Sequence, residues 1–291
     1  MSQYQYVKFT AIVSILMPLV CSQLASGARY DRIVTVGGAA TEIVYALGAG
    51  DQVVAVDLSS TYPESTQDLP QVGYIRNISP EGILSMDPDL VVTTESLGPP
   101  AAKKILKQLA IPTVWCPEPN SIEALEQSVE AIAKKLDRDD QAEGIIRRVR
   151  EAEGDARTES SSWDRKPVVV FFLRPPSLGA PGTAGGEATR SDSLISLAGG
   201  KNGAAGFDGF KTLSLESLIE INPDIILVGI SDQHGASQAT VDALRSMPML
   251  GSLAAVQAGA VHGVPMDDLA FGPRLAESIA RWNQLFASVS Q

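Results

Sequence analysis

The chain has 291 residues, of which 44% are hydrophobic and 20% are charged, and this composition is typical of a folded globular protein rather than a disordered one. Its formal net charge of −11 argues against nucleic acid or an anionic membrane surface as a partner, because both require a basic surface. The length fits one large domain or two lobes.

The first 28 residues differ from the rest of the chain. A predominantly apolar run of 12 residues, FTAIVSILMPLV, follows Lys8 and precedes the small residues of CSQLASGA. This run is shorter than the about 20 residues that cross a bilayer, so we predict a signal peptide at residues 1–28 rather than a membrane anchor. Cleavage would remove Cys21 and leave Cys116, which we expect to be a packed apolar residue.

Short β-rich segments then alternate with helical patterns, for example RIVTVG, TEIVYAL and DQVVAVD. This alternation predicts strands joined by crossover helices, and therefore mainly parallel sheets with helices on both faces. A long, charged segment without proline interrupts the alternation and predicts one helix near residues 139–159. The predicted units are an N-terminal α/β lobe at 29–137, an interlobe helix at 138–162 and a C-terminal α/β lobe at 163–291.

An internal repeat supports the division into two lobes. The segments ISPEGILSMDPDLVVTT and LSLESLIEINPDIILVG share Ser-x-Glu, an apolar turn, Pro-Asp and a strand. In each segment the serine can cap a helix, and Glu81 or Glu216 lies in the first turn, where the positive helix end favours a carboxylate. Helix-start electrostatics explains these carboxylates but does not explain why both lobes place one after matching loops.

Ligands of open parallel sheets bind outside the carboxyl ends of the strands. If the lobes face each other, the loops GGAATE, DLSSTYP, ESLGPP, RPPSLGAPGTAGGEATR, SDQHGAS and MDDLAFGPR border one cleft together with GYIRN. The sequence contains neither GxxxxGK[ST] nor GxGxxG, so these loops do not indicate a nucleotide site. The predicted ligand contacts on these loops are Leu97, Pro99, Arg174, Arg190, His234 and Phe271.

Tyr74 is the sharpest candidate for a chemical role. A phenol has a pKa of about 10 and becomes a good ligand only where the phenolate is stabilised, as by ferric iron and a nearby guanidinium. Tyrosine is an axial ligand of ferric haem in catalase. In an extended stretch, residues two apart point the same way, so Tyr74 and Arg76 are expected to face one ligand. The alternative is a tyrosine packed at a lobe edge with Arg76 solvated.

Other polar groups give weaker indications. His234 is a second candidate iron ligand, but neither it nor His262 has neighbours at metal-ligand spacing. Asp267 and Asp268 are adjacent acids on a loop, which we expect to be solvated. No Ser-His-Asp signature or nucleophile elbow is present in the sequence.

The sequence resembles the periplasmic haem-binding proteins of bacterial haem ABC importers, within the helical-backbone class of substrate-binding proteins. The segments that carry the resemblance are GGAATEIVYALGAGDQVVAVD, VGYIRNISPEGILSMDPDLVVTTESLGPP, DSLISLAGGKNGAAGFDGFKTLSLESL and FGPRLAE. It implies two α/β lobes with mainly parallel sheets, one long helix joining them, and a ligand cleft between them. It also implies that Tyr74 ligates ferric haem iron, that Arg76 supports the phenolate, and that Glu81 and Glu216 dock onto arginines of the permease.

The expected function is that of a monomeric periplasmic carrier that delivers ferric haem to an inner-membrane ABC permease and is not an enzyme. Some members of the family hold a second haem through a histidine in the loop after the first C-lobe strand. That loop has no histidine here, so we expect one haem per chain, with Arg174 and Arg190 available for its propionates. The alternatives are a ferric-siderophore or cobalamin carrier on the same fold, or an enzyme on a two-lobed α/β scaffold.

Overall fold

The computed structural model describes residues 30–177, 179–231 and 236–290. The predicted signal peptide and His234 lie outside the described residues. Among the helices within the described ranges, none is both long enough and apolar enough to cross a membrane.

The N-terminal lobe is built on a parallel sheet. Its strands are β1 (Ile33–Val36), β2 (Val53–Val56), β3 (Gly73–Tyr74), β4 (Asn77–Ile78), β5 (Leu90–Thr94) and β6 (Thr113–Cys116). Its helices are α1 (Gly38–Ala46), α2 (Pro80–Leu84), α3 (Pro100–Gln108) and α4 (Ile122–Leu136). Four strands pair in the order β2-β1-β5-β6, and all of these pairs are parallel. Every residue of β1 and β5 is buried, as expected for a parallel sheet covered on both faces.

The C-terminal lobe follows the long helix α5 (Asp139–Ser160). Its strands are β7 (Val168–Arg174), β8 (Gly182–Gly185), β9 (Lys201–Asn202), β10 (Phe210–Leu213), β11 (Ile225–Ile230) and β12 (Val261–Pro265). Its helices are α6 (Arg190–Leu197), α7 (Leu215–Ile221), α8 (Gln238–Arg245), α9 (Ala254–Gln257) and α10 (Leu275–Ala287). The predicted architecture of two α/β lobes is therefore confirmed.

The C-lobe sheet is mixed, with antiparallel pairs added at one side of its parallel strands. β7, β9, β11 and β12 pair in parallel, whereas β8 pairs antiparallel with both β7 and β10. The segment that follows Arg174 was predicted as a loop, and the structure places β8 within it. The chain returns from β7 to β8 without a crossover helix, and a reversal that short allows only antiparallel pairing.

Helix α5 connects the lobes through a shared core. Its buried residues Ile145, Val149 and Ala156 belong to an apolar cluster that extends into both sheets, and α5 packs against α4 on one side and α10 on the other. In α10, the buried ring of Trp282 stacks on Phe171 of β7 with 5.9 Å between the ring centroids. Because both lobes bury side chains against the same helix, α5 is held in place over its length.

A buried ion pair also joins the lobes. Glu42 of α1 accepts hydrogen bonds from Arg274, at 2.6 Å from Nη2 and 3.1 Å from Nε. The guanidinium of Arg274 stacks on the ring of Tyr62 at 3.8 Å from the centroid. Burial raises the pKa of Glu42, and Arg274 opposes that shift. Since an unpaired charge would be costly at this depth, the pair fixes how the lobes meet on this side of the cleft.

The expectation that Asp267 and Asp268 are both solvated is wrong for Asp268. Its buried carboxylate accepts hydrogen bonds from Trp282 Nε1 at 2.8 Å and from Ser278 Oγ at 3.0 Å, and it pairs with Arg281. A carboxylate is tolerated there because α10 supplies these donors, which the loop sequence alone does not reveal.

Cys116 is buried at the end of β6, where burial raises the pKa of its thiol to about 11. At pH 8 only about one such thiol in a thousand is ionised, and the thiolate is the reactive form. In a Cys21→Ser variant we expect the folded protein to react with Ellman's reagent far more slowly than the urea-unfolded protein. Comparable rates in the two states would contradict the burial of this residue.

Candidate functional site

Tyr74 lies on a small hairpin at the edge of the N-terminal lobe. Strands β3 and β4 pair antiparallel, with Tyr74 opposite Asn77 and with Ile75 and Arg76 at the turn. The side chain of Tyr74 is 46% exposed, whereas Ile75 is buried beneath it. The prediction of an extended stretch is therefore wrong, because the chain reverses between Tyr74 and Asn77.

The carboxylate of Asp57 holds this hairpin from below. It lies directly after β2, is fully buried, and accepts hydrogen bonds from three backbone N–H groups: Gly37 at 2.8 Å, Ser59 at 3.0 Å and Ile75 at 3.1 Å. It also accepts the hydroxyls of Ser59 and Ser60, each at 2.7 Å. One side chain thus joins the loops after β1 and β2 to the residue that follows Tyr74.

The GPP loop supports the other side of the hairpin. The N–H of Gly98 donates to the carbonyl of Ile75 at 2.9 Å, and the N–H of Ile78 donates to the carbonyl of Gly98 at 2.9 Å. A Cβ at position 98 would lie 3.0 Å from the carbonyl oxygen of Arg76, so glycine allows this close approach. The GYIR and GPP segments of the sequence are therefore parts of one backbone unit.

A cavity of about 110 Å³ opens beside Tyr74, between the lobes. Tyr74, Arg76 and Ser96 line it from the N-terminal lobe, and Arg190, the first residue of α6, lines it from the C-terminal lobe. Although the hairpin is not extended, Tyr74 and Arg76 reach the same space. One tyrosine and two arginines therefore line one cavity, a combination of residues suited to an anionic or metal-containing ligand.

Glu118 connects Arg190 to the N-terminal lobe. Its Oε1 accepts from Arg190 Nη2 at 2.9 Å, and its Oε2 accepts from the hydroxyl of Ser96. Partial burial works to raise the pKa of Glu118, but the hydrogen bonds from Ser96 and Arg190 and the field of Arg76 outweigh it, so the pKa lies below its ordinary value. Glu118 is therefore ionised at neutral pH.

The other predicted ligand contacts lie apart from this cavity. Leu97 is 3% exposed and Phe271 is 1% exposed, and both belong to apolar clusters within the lobes. Pro99 is exposed at the start of α3, and Arg174 is exposed at the end of β7, but neither lines the cavity. Among the described residues, Arg190 is the predicted C-lobe contact that lines the same cavity as Tyr74.

His262 lies on β12, away from this cavity, and burial lowers the pKa of its imidazole. His262, the C-lobe histidine among the described residues, therefore does not line the cavity with Tyr74.

The repeated helix starts have matching local structure. Ser79 and Ser214 cap α2 and α7, each accepting from the N–H three residues on, and Glu81 and Glu216 are exposed in the first turns. The hydrogen bond from Ser79 lowers the pKa of Glu81, and the backbone at its own position and then Ser214 lower that of Glu216. Both carboxylates are therefore charged and open to solvent.

The repeat extends beyond the caps. A residue of the left-handed region follows each helix, and a Pro-Asp pair follows that residue. Asp87, with φ 48°, stands three residues after the end of α2, whereas Asn222, with φ 45°, is the C-cap of α7. Leu84 and Ile219, three residues after the two glutamates, are 40% and 39% exposed. Each lobe thus presents a carboxylate and an apolar side chain one helical turn apart.

Sequence reasoning missed two residues of the site, Asp57 and Glu118. Asp57 stands at the carboxyl end of β2 with hydroxyl residues after it, in AVDLSS, and this pattern is typical of a turn-forming carboxylate. Glu118 lies in WCPEPN, after β6, and the rule that ligands bind beyond strand carboxyl ends applies to that loop as well. The partner of Glu118 across the cleft and the three backbone donors to Asp57 could not be deduced from the sequence.

Comparisons with known proteins agree with the fold. Residues 33–267 match the family described as periplasmic binding protein. The solved structure of the periplasmic heme-binding protein RhuT from Roseiflexus sp. RS-1 is 33% identical, with a TM-score of 0.79 over 90% of this chain and 99% of that one. The periplasmic heme-binding protein BhuT, solved with two hemes, is 30% identical, with a TM-score of 0.78 over 89% of this chain and 99% of that one.

Curated relatives match over a shorter part, and this chain spans 62% to 69% of the length of the first ones. One is the vitamin B12-binding protein of Yersinia pestis, 27% identical over 199 residues that cover 68% of this chain and 69% of that protein. Together, these findings confirm the resemblance that the sequence motifs predict.

Replacing Asp57 tests whether its carboxylate organises the site. In Asp57→Asn the amide nitrogen cannot accept the hydrogen bonds that one carboxylate oxygen now receives, so we expect a loss of about 3 kcal/mol in the free energy of unfolding. Urea denaturation measures this loss, and faster trypsin cleavage after Arg76 would report a looser hairpin. The exposed Asp51→Asn is the control, with an expected change within about 0.5 kcal/mol. Equal stability of the two variants would contradict the role of Asp57.

Proposed function

We propose that this chain, which belongs to the periplasmic binding protein family, carries ferric haem in the periplasm and delivers it to an inner-membrane ABC permease. The observation that carries the proposal is the exposed phenol of Tyr74 in one cavity with Arg76 and Arg190. The likeness to RhuT and BhuT, both described as heme-binding proteins, supports haem as the ligand.

The chemistry of the cavity suits this cargo. Ferric iron binds an anionic oxygen, and tyrosine is one of the protein ligands that haem iron accepts. Arg76 lines the same cavity as Tyr74 and would stabilise the phenolate, while Arg190 lines it from the other lobe and can bind a propionate. The protein would hold the haem as cargo, and we propose no reaction on it.

We expect one haem per chain. The solved structure of BhuT holds two hemes. In this chain, the segment from Arg174 to Arg190 contains no histidine, cysteine, methionine or tyrosine that could serve as a second axial ligand. His234 is the C-lobe residue that we would expect to supply one if a second haem were bound. Arg174 and Pro99, exposed at the ends of their elements, remain predicted contacts at the rim of the cleft.

Cobalamin is the second candidate ligand, because a curated relative is described as a vitamin B12-binding protein. A corrinoid already carries its metal within its own ligands and does not require an axial phenolate from the protein. The iron–tyrosine bond therefore separates the two ligands.

The paired helix starts supply the proposed docking surface for the permease. Glu81 with Leu84, and Glu216 with Ile219, form one acidic and apolar patch on each lobe. Charges of this kind steer encounter and fix register, while the exposed apolar side chains add area to bury. We propose that cationic loops of the permease contact both patches and that the carrier acts as a monomer.

Titration with hemin tests the cargo. We expect the protein, isolated without its signal segment, to bind one equivalent with the absorption spectrum of five-coordinate, high-spin ferric haem bound to phenolate. Tyr74→Phe keeps the ring and should abolish that band, whereas Arg76→Ala should keep it and weaken binding by about 10- to 100-fold, as loss of a ligand's supporting partner does. Tyr62→Phe, an exposed tyrosine outside the cavity, is the control.

An unchanged spectrum in Tyr74→Phe would refute the iron ligand. Tight binding of cyanocobalamin without binding of hemin would favour the corrinoid, and a plateau at two equivalents that His234→Ala reduces to one would overturn the stoichiometry.

Charge reversal tests the docking surface. Glu81→Lys and Glu216→Lys should leave hemin affinity unchanged but slow haem transfer to the permease reconstituted in nanodiscs, because the carboxylates would no longer meet cationic loops. Leu84→Ser and Ile219→Ser should slow transfer less. The controls are Glu143→Lys on α5 and Met249→Ser, which change exposed residues elsewhere on the surface. If both charge-reversal variants transfer haem at the full rate, the docking role is contradicted, and the glutamates serve only to stabilise the starts of their helices.

A further inference from the structure

The contact between Glu118 and Arg190 crosses the cleft beside the cavity that Tyr74 lines. Glu118 follows β6 in the N-terminal lobe and Arg190 begins α6 in the C-terminal lobe, and 2.9 Å separates Oε1 from Nη2. Each partner is also held by its own lobe, Glu118 by the hydroxyl of Ser96 and Arg190 by a hydrogen bond from Nη1 to the carbonyl of Leu269 at 3.3 Å.

The cavity behind this contact is too small for a macrocycle. Sites for organic ligands usually enclose about 300–1,000 Å³, whereas the space beside Tyr74 is about 110 Å³. The lobes must therefore separate here before such a ligand binds, and separation stretches the contact between Glu118 and Arg190.

Each partner retains other interactions once the contact opens. Glu118 keeps its hydrogen bond from Ser96 and remains in the field of Arg76, so its charge is still partly compensated. Arg190 keeps Leu269 and has free donor capacity for another carboxylate, since a guanidinium binds carboxylates through a fork of donors. The local structure thus allows Arg190 to exchange one carboxylate for another at limited cost.

We propose that Glu118 occupies Arg190 in the absence of ligand and that a carboxylate of the incoming ligand replaces it. The exchange makes Glu118 and Arg190 specificity-determining residues, because a ligand without a carboxylate would break the interlobe contact and give Arg190 no new partner. This inference rests on the proposed function for the identity of the carboxylate, which would be a haem propionate.

Comparing the binding of hemin with that of its dimethyl ester isolates the contribution of the propionate carboxylates, because the ester lacks them. We expect Arg190→Gln to weaken hemin binding by about tenfold, the loss of one charge-assisted hydrogen bond. Binding of the ester should not weaken, because the ester makes no charged contact with Arg190 and no longer has to break the contact with Glu118. Glu118→Gln should strengthen hemin binding severalfold, because Arg190 is then free for the propionate. Arg165→Gln is the control, since Arg165 pairs with Asp224 at the amino end of β11, away from the cavity.

The proposal is overturned if Arg190→Gln weakens hemin and ester binding equally, or if Glu118→Gln weakens hemin binding. If the unmodified protein binds neither porphyrin, the proposed function fails. The interlobe contact can then still be tested by hydrogen exchange of the ligand-free protein. Glu118→Gln and Arg190→Gln should each speed exchange of the backbone around Ser96, and unchanged protection in both would overturn the contact itself.

Discussion

The hydrogen bonds to Asp57 determine how the N-terminal lobe presents its site. A buried carboxylate is stable only where donors surround it, and here the donors come from the loop after β1, the loop after β2 and the Tyr74 hairpin. Gly37 contributes its N–H at φ 108°, a conformation that residues with side chains rarely adopt. The exposed position of Tyr74 is therefore fixed by buried backbone contacts, and the phenol itself remains free for a ligand.

The two ion pairs between the lobes differ in burial, and this difference indicates where the molecule can open. Glu42 is buried and Arg274 holds it with two hydrogen bonds, so separating them would leave a charge unpaired in the interior. Glu118 and Arg190 are partly exposed, so water can replace part of their interaction. An opening at Tyr74 with the Glu42 side closed would keep this ion pair and the packing of α5 against both lobes.

The lobes, the long helix and the meeting of Tyr74, Arg76 and Arg190 were predictable from the sequence, because alternation, charge and loop position each carry a local signal. Side-chain burial was not. Leu97 and Phe271 stand in cleft loops of the sequence but point into apolar clusters, and Asp268 is buried by donors from α10. In each case the burial of the side chain depends on residues distant in the sequence. The contact between Glu118 and Arg190, which are 72 residues apart, depends on the fold in the same way.

The repeat in the two lobes separates what the fold requires from what the ligand requires. Around α2 and α7 the lobes share a serine cap, a solvent-exposed glutamate, a left-handed residue and a Pro-Asp turn that receives the N–H of a neighbouring strand segment. At the cleft they diverge, since one lobe carries the tyrosine hairpin and the other the start of α6. A crossover helix runs antiparallel to its strand, so both glutamates lie toward the carboxyl ends, where the cleft loops also emerge. By this rule the matching patches and the unmatched ligand groups lie toward the same edge of the sheets, so a partner that contacts both patches would cover the opening between them.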